Sequence, residues 1–277
     1  MINYIEYTGK PSGLTNRSSA FITINPGFRT KSSWQEIEAS LPYDIDGFSV
    51  ISFWSLKGST GLYDVGIGSS GNEVVLIANL RKEYFDAWQG NDHRREFFVP
   101  IPLKAGTRIA MRGQGRGSDS DTCAWCLLYY SKGTLDALQR YYGISKCLTI
   151  GANAGDLSCG YRFTVGASWS WGSIHQITSG ISKDIKAFSI IAGFSDYDYI
   201  SSTSTYEFRH ELFIGPSGSE IRLKYLYYMY GRYTEGLYPT SNYFIPIPIK
   251  AGTRLSIRGT TARSEAEVND ITIYGWY

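Results

Sequence analysis

The sequence predicts an all-β protein, organised as a tandem duplication of an antiparallel, jelly-roll-like β-sandwich with one short linker helix. Three observations support this prediction. A sixteen-residue motif occurs twice with eleven identities, over 98–113 and 244–259. Short runs rich in β-branched and aromatic residues recur between turn residues, as in all-β domains. The chain has 277 residues, a length that suits two ordinary domains.

The repeat extends upstream of this motif through three further blocks. The matched segments are residues 67–76 with 214–223, residues 44–51 with 184–191, and Trp34 and Ile37 with Trp171 and Ile174. A fixed order of blocks with changing spacing is typical of strands joined by variable loops. The repeat therefore predicts β-sandwich domains at 1–132 and 146–277, joined by a helical linker at 133–145.

Each copy supplies a similar series of predicted strands. They cover residues 47–54, 73–80, 97–103, 107–112 and 123–130 in the first copy, and 187–194, 220–230, 243–249, 253–258 and 268–277 in the second. Prolines donate no ladder hydrogen bond, so the proline pairs predict an edge strand or the start of a strand, with the intervening isoleucines directed to the core. These prolines are Pro100, Pro102, Pro246 and Pro248.

A tight turn and an arginine pair follow the prolines in both copies. Gly106 and Gly252 are expected to supply the permissive turn backbone. Strand alternation places Arg108 and Arg112 on one face, and Arg254 and Arg258 likewise. Two interpretations of the lysine and arginines remain open: an anion site, or a hairpin with solvated basic side chains, which we favour.

Residues 134–143 carry the predicted helix, in which Thr134 can cap the start and Gly143 can end it. Glu73 and Glu220 occupy the same place in the two copies. A catalytic carboxylate needs a partner, and no second acid repeats beside them. We therefore expect each glutamate to bond a neighbouring loop or the repeated arginine.

The cysteines and histidines give weak chemical signals. Cys123 and Cys126 form a CxxC in a strand-like run, where residues three apart face opposite sides, and Cys147 and Cys159 lack ordinary zinc-ribbon spacing. The three histidines, His93, His175 and His210, are not equivalent between copies. We expect structural thiols, no metal, no cofactor and no catalytic residue.

Aromatic residues are the strongest candidates for binding. The stretch 225–244 carries seven tyrosines, whereas the first copy has a more charged segment there. Exposed aromatics stack on sugars or anchor protein interfaces, but they also cover cores. The predicted interaction residues are Tyr227, Tyr228, Tyr230, Tyr233 and Tyr238 in the second copy, and Trp88, His93 and Arg94 in the first.

Composition excludes some partners. The net charge of +2 provides no basic field for nucleic acid. No hydrophobic core of a signal peptide follows Met1, and no apolar run reaches transmembrane length. We expect a soluble chain made in a cytoplasm, with no nucleic-acid or membrane partner.

The ordered blocks resemble a β-sandwich domain of tailed-bacteriophage virion proteins. Both copies carry them, over about 34–130 and 171–277, and the chain closes on Ile273-Tyr274-Gly275-Trp276-Tyr277. The family pattern often has proline before AGTR, where this chain has Lys104 and Lys250. The resemblance implies a non-enzymatic structural protein of the phage particle.

Three functional hypotheses follow. The first is a virion protein that decorates the capsid or forms an accessory layer of head or tail, and binds other virion subunits or further copies of itself. The second is a receptor- or carbohydrate-binding module of a head or tail fibre, motivated by residues 225–244 with Trp169 and Trp171. The third is a glycan depolymerase, for which we find neither a repeated acid pair nor a nucleophile signature.

Overall fold

The computed structural model describes residues 21–24, 30–55, 61–82, 95–115, 121–133, 135, 143–152, 160–194, 206–230 and 243–277. These residues form two compact units. The first comprises the described residues up to Leu148 together with Trp276 and Tyr277, and the second comprises 149–152 and 160–275. Secondary structure in the described ranges consists of antiparallel strands, which confirms the predicted all-β class.

Eight strands build the first unit. They are β1 (Phe21–Ile24), β2 (Gln35–Glu38), β3 (Ile45–Ser55), β4 (Gly61–Ile67), β5 (Val74–Lys82), β6 (Arg95–Val99), β7 (Ile109–Gly115) and β8 (Asp121–Ser131). They form two sheets, in the orders β1-β8-β3-β6 and β2-β7-β4-β5.

The second unit repeats this arrangement. Its strands are β9 (Cys147–Ile150), β10 (Tyr161–Val165), β11 (His175–Thr178), β12 (Ala187–Phe194), β13 (Tyr206–Ile214), β14 (Ile221–Tyr230), β15 (Tyr243–Ile245), β16 (Leu255–Thr261) and β17 (Glu267–Trp276). The sheet orders are β10-β17-β12-β15, to which β9 adds along β17, and β11-β16-β13-β14. Each strand of the first unit thus corresponds to the strand numbered nine higher.

The pairing in each unit is that of a jelly roll. In the first unit the first strand pairs with the eighth, the second with the seventh, the third with the sixth and the fourth with the fifth. The unit is therefore one long hairpin that folds over on itself. The additional pairs β3–β8 and β4–β7 join its strands into the two sheets. This two-sheet, eight-stranded arrangement is a jelly roll.

The core of each unit lies between its two sheets. In the first unit the Tyr63 and Trp125 rings, from β4 and β8, lie 4.7 Å apart. In the second unit Phe163 of β10 packs edge-on against His210 of β13 at 5.0 Å. Alternating residues of the strands supply the rest of the buried apolar surface, which is the dominant stabilising contribution in such a sandwich.

The proline motifs end their strands earlier than predicted. Strands β6 and β15 stop at Val99 and Ile245, because the prolines that follow cannot donate to the ladder. Ile101 is buried as expected, but Ile247 is 36% exposed, so the prediction that these isoleucines enter the core is wrong at that position. The predicted helix lies outside the described residues, apart from Leu135 and Gly143.

Candidate functional site

The KAGT turns, at residues 104–107 and 250–253, are each closed by an aspartate from the repeated block at 44–51 or 184–191. Gly106 has a φ of +81°, the value that a type II turn requires at its third residue. Asp44 accepts hydrogen bonds from the Ala105 amide at 3.0 Å and from Lys104 Nζ at 2.9 Å, and these bonds lower the pKa of Asp44. The second unit repeats the contacts with Gly252, Asp184, Ala251 and Lys250. Each lysine pairs with a carboxylate, which supports the interpretation of the motif as a structural hairpin.

The repeated glutamate joins two turns. Glu73 accepts the Gly71 amide at 3.0 Å and Arg108 Nη1 at 2.9 Å, while Arg108 Nε donates to Glu36 at 2.8 Å. The corresponding bonds in the second unit join Glu220 to Gly218 and Arg254, with Gln176 in the place of Glu36. Both glutamates therefore make the arginine contact expected from the sequence.

The second repeated arginine pairs across the sheet with an acid. Arg112 lies opposite Asp64 in the β4–β7 register, and its Nε donates to that carboxylate at 2.8 Å. Lys31 Nζ and the Asn79 amide also donate to Asp64, each at 2.9 Å. Burial alone would raise the pKa of Asp64, but these donors outweigh it and hold the pKa below its ordinary value.

The second unit has the same pair in another setting. Arg258 lies opposite Glu211 and donates to it at 2.8 Å, and Arg222 donates to the other carboxylate oxygen at 2.7 Å. The two arginines outweigh burial and lower the pKa of Glu211. The repeated arginines therefore stabilise the sheets of both units through ion pairs with carboxylates.

The aromatic ring beside this arginine differs between units. In the first unit Arg112 lies over Trp34 at 4.6 Å, and a Cβ on Gly66 would meet the same indole at 2.7 Å. In the second unit Phe213 occupies the position of Gly66 on β13, and Arg258 lies over it at 5.4 Å.

The strand registers correct the sequence alignment here. Gln35 pairs with Met111, and His175 pairs with the repeat counterpart of Met111. Trp34, next to Gln35, therefore corresponds to Ile174 rather than to Trp171. The matching of Trp34 and Ile37 with Trp171 and Ile174 is wrong by three residues, because loop insertions shift the tryptophan. Trp171 contacts the equivalent arginine from the preceding loop, at 4.9 Å.

The loop at residues 166–172 is hydrogen-bonded to β16 and to the residues that follow this strand. The amides of Gly166 and Gly172 both donate to the Gly259 carbonyl, and the amide of Trp169 donates to the Thr261 carbonyl. Ser168 and Trp169 have φ values of 49° and 62°, a region that non-glycine residues seldom adopt. Such strain persists only where the surroundings impose it, so the loop holds one defined conformation.

Four exposed rings come together on the second unit, and we name them the aromatic face: Trp169, Trp171, Tyr225 and Tyr227. Each is between 37% and 42% exposed. Trp171 meets Tyr225 edge-on at 6.4 Å, and Tyr225 and Tyr227 alternate on one side of β14. Arg209 lies over Trp169 at 4.0 Å and opposite Tyr227 in the sheet.

The Tyr227 hydroxyl is held by a carboxylate. Burial, together with its hydrogen bond to Glu207, raises the pKa of Tyr227 above its ordinary value. The tyrosine is therefore neutral near pH 7, and its hydroxyl donates to Glu207.

The first unit has no such tyrosines at the matching strand positions. Tyr225 lies opposite Glu211, and the counterpart of that glutamate, Asp64, faces an irregularity at Ala78 and Asn79. The register position of Tyr227 is taken by Arg81, which is 4% exposed. At these described positions, the first unit therefore has no counterpart of the two tyrosines of the aromatic face.

The sequence-predicted interaction residues are only partly brought together. Tyr227 belongs to the aromatic face. The backbones of Tyr228 and Tyr230 lie on β14, but their side chains are not described, and Tyr233, Tyr238, Trp88, His93 and Arg94 lie outside the described residues. Sequence reasoning omitted Tyr225 and Arg209 from the predicted residues. Strand alternation from Tyr227 is the signal that finds Tyr225, whereas Arg209 lies on β13, whose pairing with β14 was not predicted.

The cysteine and histidine positions show no shared site in the described ranges. Cys123 and Cys126 lie on β8, and Cys147 lies on β9. His210 is fully buried, and burial lowers its pKa to about 3. Within those ranges no group of three or more His, Cys, Asp or Glu residues is placed to hold a metal ion, and no helix is long and apolar enough to cross a membrane.

Comparison with known proteins gives no family. No family model and no curated protein matches the chain. Similar solved structures include the CBM22-1–CBM22-2 tandem domain of Paenibacillus barcinonensis Xyn10C, at 10% identity over 88% of this chain and 86% of that one, with a TM-score of 0.23. The T=1 Penaeus vannamei nodavirus matches at 9% identity over 89% and 90%, with a TM-score of 0.20. These TM-scores are too low to transfer function, so the fold assignment rests on the strand pairing itself.

Proposed function

We propose that the protein is a non-enzymatic structural protein of a tailed-bacteriophage particle, acting by adhesion to capsid or tail subunits or to further copies of itself. The observation that supports this most is the duplicated jelly roll with its repeated turn and arginine contacts. The motif that resembles virion proteins braces the sheets in both units, while the exposed surface differs between them.

Duplication suits an adhesive role. Two linked units can each bind a neighbouring subunit, and the first contact raises the effective concentration for the second. Val74 and Ile221 are exposed aliphatic residues at equivalent places, directly after Glu73 and Glu220. They provide each unit with a similar apolar contact point.

The test is to locate the chain in purified particles by mass spectrometry and to trace it in a particle map. We expect both units to bury exposed surface against neighbouring subunits. Absence of the chain from virions would overturn the proposal.

A second function, the receptor- or carbohydrate-binding module of a head or tail fibre, is favoured by one specific observation. The aromatic face occurs on the second unit, and its two tyrosines have no counterparts at the matching described positions of the first unit. A face needed only for the shared framework would be expected in both units.

A further inference from the structure

We propose that the aromatic face of the second unit is a binding site for an acidic saccharide, with a pyranose ring stacked against Trp171 and Tyr225 and its carboxylate bound by Arg209. This inference rests on the second function above, carbohydrate binding, and does not require a place in the virion.

The two indoles of the aromatic face are each packed against an arginine and are partly exposed to solvent. Arg258 lies over one side of Trp171 at 4.9 Å, and Arg209 lies over Trp169 at 4.0 Å. A guanidinium over an aromatic ring is favourable and fixes the ring orientation. Trp169 and Trp171 are 37% and 38% exposed, so part of each residue is open to solvent. Such a ring offers a flat apolar platform to the C–H face of a sugar.

The site is preorganised. Trp169 and Trp171 sit on the loop whose amides bond to the Gly259 and Thr261 carbonyls. A Cβ on Gly166 would come within 2.0 Å of the Ser170 carbonyl oxygen, so this backbone approach requires glycine. Because the loop is already ordered, binding loses little conformational entropy.

The charges of the face favour an anion. Glu211 is shared by Arg222 and Arg258, and Glu207 accepts the Tyr227 hydroxyl. Within the described ranges, no carboxylate lies within salt-bridge distance of Arg209. Its planar donors match the geometry of a carboxylate. A carboxylate at Arg209 would lie beside Tyr227, its cross-strand neighbour.

The shape of the site favours one sugar ring over an extended protein surface. Trp171 and Tyr225 meet at an interplanar angle of 76°, which makes a corner with one wall and one floor. The charged groups of Arg258 and Glu211 lie beside this corner. Polar hydroxyls of a saccharide match such surroundings.

The experiment is isothermal titration of the full chain with matched acidic and neutral probes. These are 3′-sialyllactose against lactose, and trigalacturonate against its carboxyl-reduced form. We expect at least one acidic probe to bind about tenfold more tightly than its neutral partner, the scale of one good charged contact.

Three variants assign the contacts. Arg209→Gln should remove the preference for the acidic probe. Trp171→Ala and Tyr225→Ala should weaken binding of that probe about tenfold or more, as for interface anchors. Lys250→Gln removes one positive charge from the KAGT turn of the same unit and should bind as wild type. Circular dichroism and thermal unfolding check that each variant is folded.

Several results would overturn the inference. They are no binding of either acidic probe, equal binding of acidic and neutral probes, or unchanged affinity in folded Arg209→Gln and Trp171→Ala proteins. Loss of particle assembly in Trp171→Ala without any glycan binding would identify the face as a protein contact instead. Absence of the chain from virions would end the first proposed function and leave the titrations unaffected.

Discussion

The two units keep the same arginine–carboxylate pairs but surround them with different aromatic side chains. In the first unit the Trp34 indole lies over Gly66. In the second unit the large side chain is on the strand, as Phe213, and the position of Trp34 is occupied by Ile174. The large side chain thus lies on one side of the arginine strand in the first unit and on the other side in the second, while the cross-strand ion pair has stayed in place.

As a result, Trp171 does not belong to the packing around the arginine that corresponds between the two units. It approaches Arg258 from the loop and is 38% exposed. The comparison teaches that repeated residues in this protein hold the sheets, whereas candidate binding residues are found where the repeat fails. The following predictions test that distinction, starting with the largest expected effect.

One buried strand position differs between the units. It is occupied by Tyr63, opposite Gly113, in the first unit and by His210, opposite Gly259, in the second. The pKa of His210 is lowered to about 3, against about 6.5 in an unfolded chain. Below pH 6.5 the unfolded state takes up a proton that the folded state does not. The free energy of unfolding of the second unit should therefore fall by roughly 3 kcal/mol between pH 7 and pH 4.5.

Hydrogen exchange read separately from β13 and β4, corrected for intrinsic rates, measures this difference. His210→Tyr, which installs the residue of the first unit, should flatten the pH dependence of β13. Carboxylates with lowered pKa values, such as Glu211, also lose stabilisation as the pH falls, but they are present in wild type and variant alike. An equal loss of protection in wild type and variant would contradict the assignment.

Exchanging the aromatic packing should also be costly. Gly66→Phe forces a side chain against the Trp34 indole and should destabilise the first unit by about 2–3 kcal/mol through overpacking. The double change Trp34→Ile with Gly66→Phe reproduces the combination of the second unit. It should recover about 1 kcal/mol or more relative to Gly66→Phe.

Urea unfolding of the two single variants and the double variant gives the coupling energy. Hydrogen exchange at β7 and β16 shows which unit responds. Strictly additive losses would mean that the Trp34 position and the Gly66 position do not share one space. The second unit should be unaffected in all three proteins.

Much of the fold was predictable because strongly apolar strands alternate with turn residues. Strands β3, β5, β7, β8, β12, β14, β16 and β17 were all anticipated near their observed bounds. Strands β1, β2, β4, β9, β10, β11 and β13 were not, and in β4 and β13 the residues Asp64, Glu211 and His210 break the apolar pattern. Asp64 and Glu211 are paired with cross-strand arginines that are distant in sequence, and burial disfavours the charged form of His210.

The candidate site was less predictable than the framework. Tyrosine abundance indicated the right strand, and Tyr227 is on the aromatic face. The exposure of Trp169 and Trp171, however, depends on a loop with two non-glycine residues at positive φ. Sequence patterns do not indicate such a conformation, because it is imposed by backbone bonds to β16 and its continuation.

The cross-strand ion pairs should have moderate effects in both units. Asp64→Asn leaves Lys31 and Arg112 beside a neutral side chain. We expect a loss of about 1–2 kcal/mol in the first unit, less than for a fully buried pair because Arg112 is partly exposed. Glu211→Gln should lower the stability of the second unit in the same direction. Urea unfolding with exchange readout compares them, and a response from only one would show that the repeated pair is not equivalent.

The smallest effect is expected at the KAGT turns. The side chains of Lys104 and Lys250 are 80% and 85% exposed, so water and salt screen their ion pairs with Asp44 and Asp184. Lys104→Gln and Lys250→Gln should leave the unfolding midpoint unchanged in urea at 0.15 M salt. Asp44→Ala should lower the midpoint measurably, because it also removes the acceptor for the Ala105 amide. If the lysine variants were as destabilised as the aspartate variant, the turn would depend on charge rather than on its backbone hydrogen bond. The same ranking is expected in the second unit, since its turn repeats every one of these contacts.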